Sequence, residues 1–125
     1  MQAENIKQAI QWRKLIDVLL DSNQFADLVL KDGFVINTIT REIYEADVAI
    51  KGEHILMVGD ASGLIGSRTK VVDVRGKFIS PGFIDSHMHF ESAMLTCTEF
   101  SRLSIPTGTT TIVADPHEIG NVLGV

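Results

Sequence analysis

Apolar residues recur along positions 4–20 at three- and four-residue intervals: Ile6, Ala9, Ile10, Trp12, Leu15, Ile16 and Leu19. That spacing lays them along one broad stripe of a helix, and Asp21-Ser22-Asn23 breaks the pattern. The stripe reads as a packing face. From residue 26 to 80 the texture changes to short apolar runs separated by turn residues. Ala26–Leu30 and Phe34–Ile36 flank Lys31-Asp32-Gly33, an Asp-Gly pair of the hairpin type. Asp47–Ile50 and Ile55–Val58 flank Lys51-Gly52-Glu53-His54, and Val71–Val74 and Lys77–Ile79 flank Arg75-Gly76. Three successive hairpins predict a mainly antiparallel layer or half of a sandwich. His54 falls in the second turn and reads as a solvated residue, not a ligand.

After Pro81-Gly82 the pattern changes again. Phe83-Ile84 opens a strand. Thr96-Cys97-Thr98-Glu99 has the spacing of a capping box, with Thr96 as the N-cap and Glu99 reaching back. The helix it starts runs through Phe100, Leu103 and Ser104 and ends before Pro106, with Gly108 completing the turn. Thr109–Ala114 is β-branched and reads as the next strand. Strand, helix, strand predicts a βαβ unit, right-handed in a parallel sheet, with the carboxyl ends of both strands on one rim.

That rim is where the chemistry lies. His87 and His89 follow an apolar run at a spacing of two, so a strand projects both to one face while Met88 points to the other. Two neutral imidazoles at a strand end make a pair of divalent-metal ligands, and a bound metal activates water for hydrolysis at neutral pH. Read alone, His-x-His is equally a pair of surface polar residues; Asp85 and Glu91 add carboxylates around it. The second strand ends in Asp115-Pro116-His117-Glu118, on the same side of such a sheet.

Composition narrows the choices. One hundred and twenty-five residues make one ordinary domain or parts of two, and no apolar run approaches the length of a membrane span. The first residues lack a signal-peptide pattern, and Cys97, the single cysteine, has no partner for an internal disulfide, which fits a reducing cytoplasm. A net charge of -5 without a basic run gives no footprint for nucleic acid or an anionic membrane.

Other motifs fail on inspection. His117-Glu118-Ile119-Gly120-Asn121 begins like the zinc-protease helix, but Asn121 stands where a second His is required. One cysteine excludes the zinc deaminase signature built on Cys-x-x-Cys. Gly63–Ser67 lacks a phosphate-loop lysine and reads as a plain loop. Cys97 has no neighbouring His to activate it as a nucleophile.

Pro81-Gly82-Phe83-Ile84-Asp85-Ser86-His87-Met88-His89 after a β segment resembles the start of an amidohydrolase. Phe90–Met94, Gly108–Thr111 and above all Ala114–Gly124 resemble the adenine deaminase family more narrowly. The resemblance is close from Pro81 onward and loose before it. It implies an α/β fold: a helical segment over 1–23, a small mainly antiparallel β domain over 24–80, and the first strand–helix–strand of a TIM (β/α)8 barrel over 81–125. It implies metal-dependent hydrolytic deamination of adenine to hypoxanthine and ammonia, in purine salvage, by a binuclear manganese or iron centre.

His87 and His89 match the first two metal ligands of that family. Asp115, His117 and Glu91 are carried over as metal- or substrate-proximal. The small-molecule partner implied is a purine, and the enzyme implied is a homo-oligomer. The remaining ligands and the base belong to later barrel strands, so the expectation is an amino-terminal portion, inactive alone. Two alternatives stand beside this reading: a non-catalytic structural or interaction module, and another cyclic amidohydrolase of the dihydroorotase or hydantoinase type.

Overall fold

Val29 and Ala49 face each other across two antiparallel strands, and both are completely buried. The structure, a computed structural model, describes residues 25–115 and 117–123 together with 10, 12, 13, 16 and 17. The helix expected over residues 4–20 falls mostly on residues outside that set. The chain divides into two compact units, residues 1–80 and 81–125.

In the first unit, strand β1 (Leu28–Asn37) is central, pairing with β2 (Glu42–Lys51), which in turn pairs with β3 (His54–Gly59). Both pairings are antiparallel. Strands β4 (Lys70–Asp73) and β5 (Phe78–Ile79) lie along the other edge of β1, both parallel to it. The sheet is therefore mixed. Ala26, Val29, Ala49, Ala61 and Leu64 form its buried cluster, with Leu56, Met57 and Ile65 packed against them.

Of the three expected hairpins, the second forms as read, with Lys51 opposite His54 across Gly52-Glu53. The other two do not. Lys31-Asp32-Gly33 is a bulge within β1, where three steps oppose two on β2, and Asp32 takes a left-handed φ of 59°. The chain reverses instead at residues 38–41, where the Asn37 side chain accepts hydrogen bonds from the amides of Ile39 and Thr40 at 3.0 and 3.1 Å.

Arg75-Gly76 does not return the chain on itself either; it steps from β4 to β5 along the same neighbour. The step matches the bulge, since Val74 N donates to Lys31 O and Phe34 N donates to Lys77 O. Gly33 is required there. A Cβ would lie 2.7 Å from Ile79 Cδ1 and 2.9 Å from Val74 Cγ2.

Asp47 holds the bulge. It is only 5% exposed, and its carboxylate accepts from Asp32 N at 2.9 Å, Ala61 N at 3.1 Å and Lys31 Nζ at 3.3 Å. Burial pushes this carboxyl up, but the two amides and the Lys31 ammonium outweigh it and hold it below the ordinary aspartate value. His54 departs from the solvated reading: it begins β3, is half-buried, and meets the Trp12 ring edge-on at 5.9 Å.

The second unit is a strand–helix–strand. β6 (Phe83–Met88) pairs in parallel with β7 (Thr109–Ala114), as the pattern predicts, and α1 (Cys97–Ser104) crosses between them. Thr96 Oγ1 caps the helix by accepting from Glu99 N at 3.3 Å. The Glu99 carboxylate does not reach back; it pairs with Arg102 at 2.7 Å, so the capping box is half-formed. The helix stops at Ser104, a 3-10 turn carries Pro106, and Gly108 at φ 100° leads into β7. A second helix, α2 (His117–Leu123), follows β7. No helix among the described residues is long and apolar enough to cross a membrane.

Two predictions follow from this packing. Asp47→Ala strands two amides and a lysine, and is expected to cost about 2 kcal/mol in urea unfolding followed by circular dichroism. Because the folded pKa is depressed, Asp47 contributes stability above the unfolded-state value, and that contribution is lost as pH falls through the folded value. Wild type should therefore lose stability below about pH 4, and Asp47→Asn should flatten that part of the profile. Gly82→Ala is expected to loosen the β6–β7 pair, because a Cβ would lie 2.1 Å from Thr110 Oγ1 and 2.4 Å from its Cγ2. Faster amide exchange in β7, partly reversed by adding Thr110→Ala, checks this.

Candidate metal centre

The site begins with the end of β6. Asp85 Oδ1 accepts from His87 N at 3.1 Å, where β6 advances three residues against two on β7. His89 lies one residue past the strand, in a non-strand conformation with φ -117° and ψ 85°. The two histidines nevertheless converge. Their Nε2 atoms are 3.2 Å apart and their rings meet edge-on at 4.9 Å. Met88 between them is half-buried.

A 3-10 turn, Phe90–Ala93, follows. Phe90 is buried and faces Phe100 of α1 at 6.5 Å between ring centres, so an apolar anchor fixes the turn. The turn brings Glu91 back beside His89. From the end of β7, His117 approaches the same point, its ring edge-on to His89 at 5.1 Å. One ligand atom each from His89, Glu91 and His117 lie within 4.8 Å of one another.

His89 is the shared member, facing His87 on one side and the Glu91–His117 pair on the other. Asp115 is brought near but in a different role. Its Oδ2 lies 3.3 Å from His117 Nδ1, and its side chain is largely exposed. An imidazole that donates from Nδ1 to this carboxylate keeps Nε2 as its basic nitrogen. Ser92, not singled out by sequence pattern, and Glu118, read only as part of the polar end of the second strand, also belong to the site. Glu118 N donates to Glu91 Oε1 at 3.3 Å, and Ser92 Oγ donates to Glu118 Oε1 at 3.1 Å. The Ser and Glu had no spacing signal; only the parallel pairing puts them together.

The donors fit a divalent cation. Two nitrogens about 2.1 Å from one tetrahedral ion sit about 3.4 Å apart, close to the observed Nε2 separation. Nδ1 of His89 and Oε2 of Glu91 are buried without a hydrogen-bond partner. A buried polar atom left unpaired costs about 1–3 kcal/mol, and a cation would satisfy the carboxylate oxygen. Imidazole nitrogens with a carboxylate suit zinc, iron and manganese alike. Without a cation, the 3.2 Å contact is also the length of an N–H···N bond between the two rings.

Comparison with known proteins agrees with this chemistry. Residues 78–125 match the model of the Amidohydrolase family. Across 125 residues the chain is 67% identical to adenine deaminase 1 of Carboxydothermus hydrogenoformans, covering 99% of this chain and 21% of that protein. It is 48% identical over 121 residues to the adenine deaminase of Listeria welshimeri, covering 97% and 20%. Among solved structures, a D-aminoacylase with a binuclear metal centre superposes with a TM-score of 0.60 at 37% identity, covering 71% of this chain and 18% of that one. The chain thus spans about a fifth of the length of the curated relatives it matches. A βαβ unit with histidines at both strand ends, joined to identity of this extent, makes the chain similar to adenine deaminases over about a fifth of their length and to the Amidohydrolase family over residues 78–125.

Proposed function

We propose that this chain is the amino-terminal part of a metal-dependent enzyme that deaminates adenine hydrolytically to hypoxanthine and ammonia. The observation that carries the reading is the convergence of His87, His89, Glu91 and His117 at one rim, in a chain 67% identical to an adenine deaminase. His87 and His89 would hold one divalent ion, with Glu91 and His117 as further donors through His89. A bound ion supplies an activated water at neutral pH. Asp115 orients the His117 ring, and the Asp85 carboxylate fixes the backbone of His87. Manganese or iron in a binuclear arrangement is our choice of metal, and the nitrogen and carboxylate donors are compatible with either without selecting it.

The same reading makes a purine the small-molecule partner and places the enzyme in the cytoplasm as a homo-oligomer, with no nucleic-acid or membrane partner. Exposed Phe83, Ile84 and Val113 on the β6–β7 pair support a further apolar neighbour there. The dihydroorotase, hydantoinase and non-catalytic readings are not favoured, because the extended identity is to adenine deaminases.

The test is a chimaera in which these 125 residues replace the matching segment of the Carboxydothermus relative, assayed for ammonia release from adenine. The wild-type segment should support turnover. His87→Ala or His89→Ala should abolish it together with metal content, read by atomic absorption; full metal and full rate after loss of His87 would remove that residue from the ligand set. His117→Ala should slow turnover by about 10–100-fold while leaving much of the metal in place. The 125-residue chain alone should bind metal weakly and release no ammonia, since the family resemblance assigns it only the first two metal ligands and leaves the other ligands and the base to later barrel strands. Steady turnover by the purified chain would refute that ligand count.

A further inference from the structure

Two side-chain hydrogen bonds cross from the turn after β6 to the first residues of α2, and they run in opposite senses. Glu91, on the turn, accepts from the backbone amide of Glu118; Glu118, on the helix, accepts from the hydroxyl of Ser92. The residues joined are 27 and 26 positions apart. Each carboxylate spends one oxygen, Oε1, on the other segment. Glu91 Oε2 is then left buried and unpaired, within the group it forms with His89 and His117.

His117 is the residue immediately before Glu118, so whatever holds the Glu118 amide also holds the backbone of His117. His89 immediately precedes the turn that carries both Glu91 and Ser92. The two bonds therefore join the neighbours of the two histidines whose rings meet at 5.1 Å. A single bond would leave α2 free to pivot about it, whereas two separated bonds fix both a distance and an orientation. The Asp115 carboxylate alone does not set this distance, because it sits beside His117 on the same segment.

We propose that Ser92 and Glu118 are positioning residues, which with Glu91 form a crossed clasp that holds His117 against His89. In this arrangement Glu91 has two jobs: Oε1 closes the clasp, and the carboxylate belongs to the group it forms with His89 and His117. The inference deepens the proposed metal centre and rests on that reading only for its consequence on metal affinity. The clasp itself consists of hydrogen bonds between protein groups.

The experiment measures the metal-free 125-residue chain by NMR, with carbon-resolved contacts between histidine ring protons. Wild type should show cross-relaxation between the rings of His89 and His117 and between those of His87 and His89. Ser92→Ala and Glu118→Ala should each weaken the first contact at least threefold and leave the second unchanged. Ser92→Thr, which keeps the hydroxyl, should restore it. Amide exchange in β6 and β7 should match wild type throughout, which separates loss of the clasp from loss of the fold. Cobalt(II) titration of the same chains should show about a tenfold weaker affinity in Ser92→Ala and Glu118→Ala. Persistence of the His89–His117 contact in both alanine variants would overturn the proposal. An inactive wild-type chimaera alongside the expected NMR pattern would sink the deaminase reading and leave the clasp standing.

Discussion

Parallel pairing of β6 with β7 is the constraint on which the candidate site depends. Two parallel neighbours cannot be joined by a tight turn; they need a crossover, here α1 with its flanking 3-10 turns. Once the crossover is made, both strands end on one side, and His89, Glu91 and Ser92 adjoin His117 and Glu118. Close approach maintains the pair: Phe83 N donates to Gly108 O at 2.8 Å, and Gly82 lies directly against the Thr110 side chain. Gly108 adopts a left-handed φ of 100° at the entrance to β7, where any side chain is strained. Glycines that look like ordinary loop residues thus set the separation of the strands that carry the histidines.

In the first unit the organising group is a carboxylate. Its largest fully buried side chain is Val29, and several core positions are alanine, so hydrophobic burial there is small. Asp47 compensates by gathering donors from three places: the bulge in β1, the Lys31 side chain, and the segment after β3. The bulge in turn matches the step between β4 and β5, and Arg75 closes over it with a 3.0 Å ion pair to Asp32. One buried charge with three donors thereby ties β2 to the bulge in β1 and to the segment after β3. A hydrophobic residue of similar size would bury as much surface and specify none of this.

Local pattern in the sequence carried much of this fold, and its failures have a common cause. The Thr96 cap and the β-branched run at 109–114 are local signals, and each corresponds to a local feature. The period-two reading of His87 and His89 does not, because β6 ends at Met88 and the ring of His89 meets that of His87 from outside the strand. The second hairpin is local too, with two residues between paired positions. Asp32-Gly33 has the chemistry of a tight turn because both residues tolerate a left-handed backbone. A bulge demands the same tolerance, and only the distant Asp47 decides between them. The parallel placement of β4 and β5 likewise depends on β1, some forty residues earlier. In the site, His87, His89, Glu91, Asp115 and His117 were legible as polar residues at two strand ends. Glu118 was legible there too, but its bond to Ser92 was not, since that bond exists only across the rim.

The segment from Asp85 to Ala93 shows how a short stretch of chain builds most of a polar centre. While it is a strand, His87 is exposed and Met88 half-buried. At His89 the backbone leaves the strand, yet its ring still meets that of His87. Had the strand continued, Glu91 would have projected to the same face about 6–7 Å further along, beyond reach of a group shared with His89. The 3-10 turn removes that advance and folds Glu91 back. The turn has no side-chain cap of its own, so its stability comes from elsewhere: Phe90 is buried against Phe100 on α1, and Glu91 binds the Glu118 amide. Apolar burial on one side and a carboxylate bond on the other hold the turn in place. The cost is the unpaired Glu91 oxygen within it, and that buried atom is what a cation would satisfy.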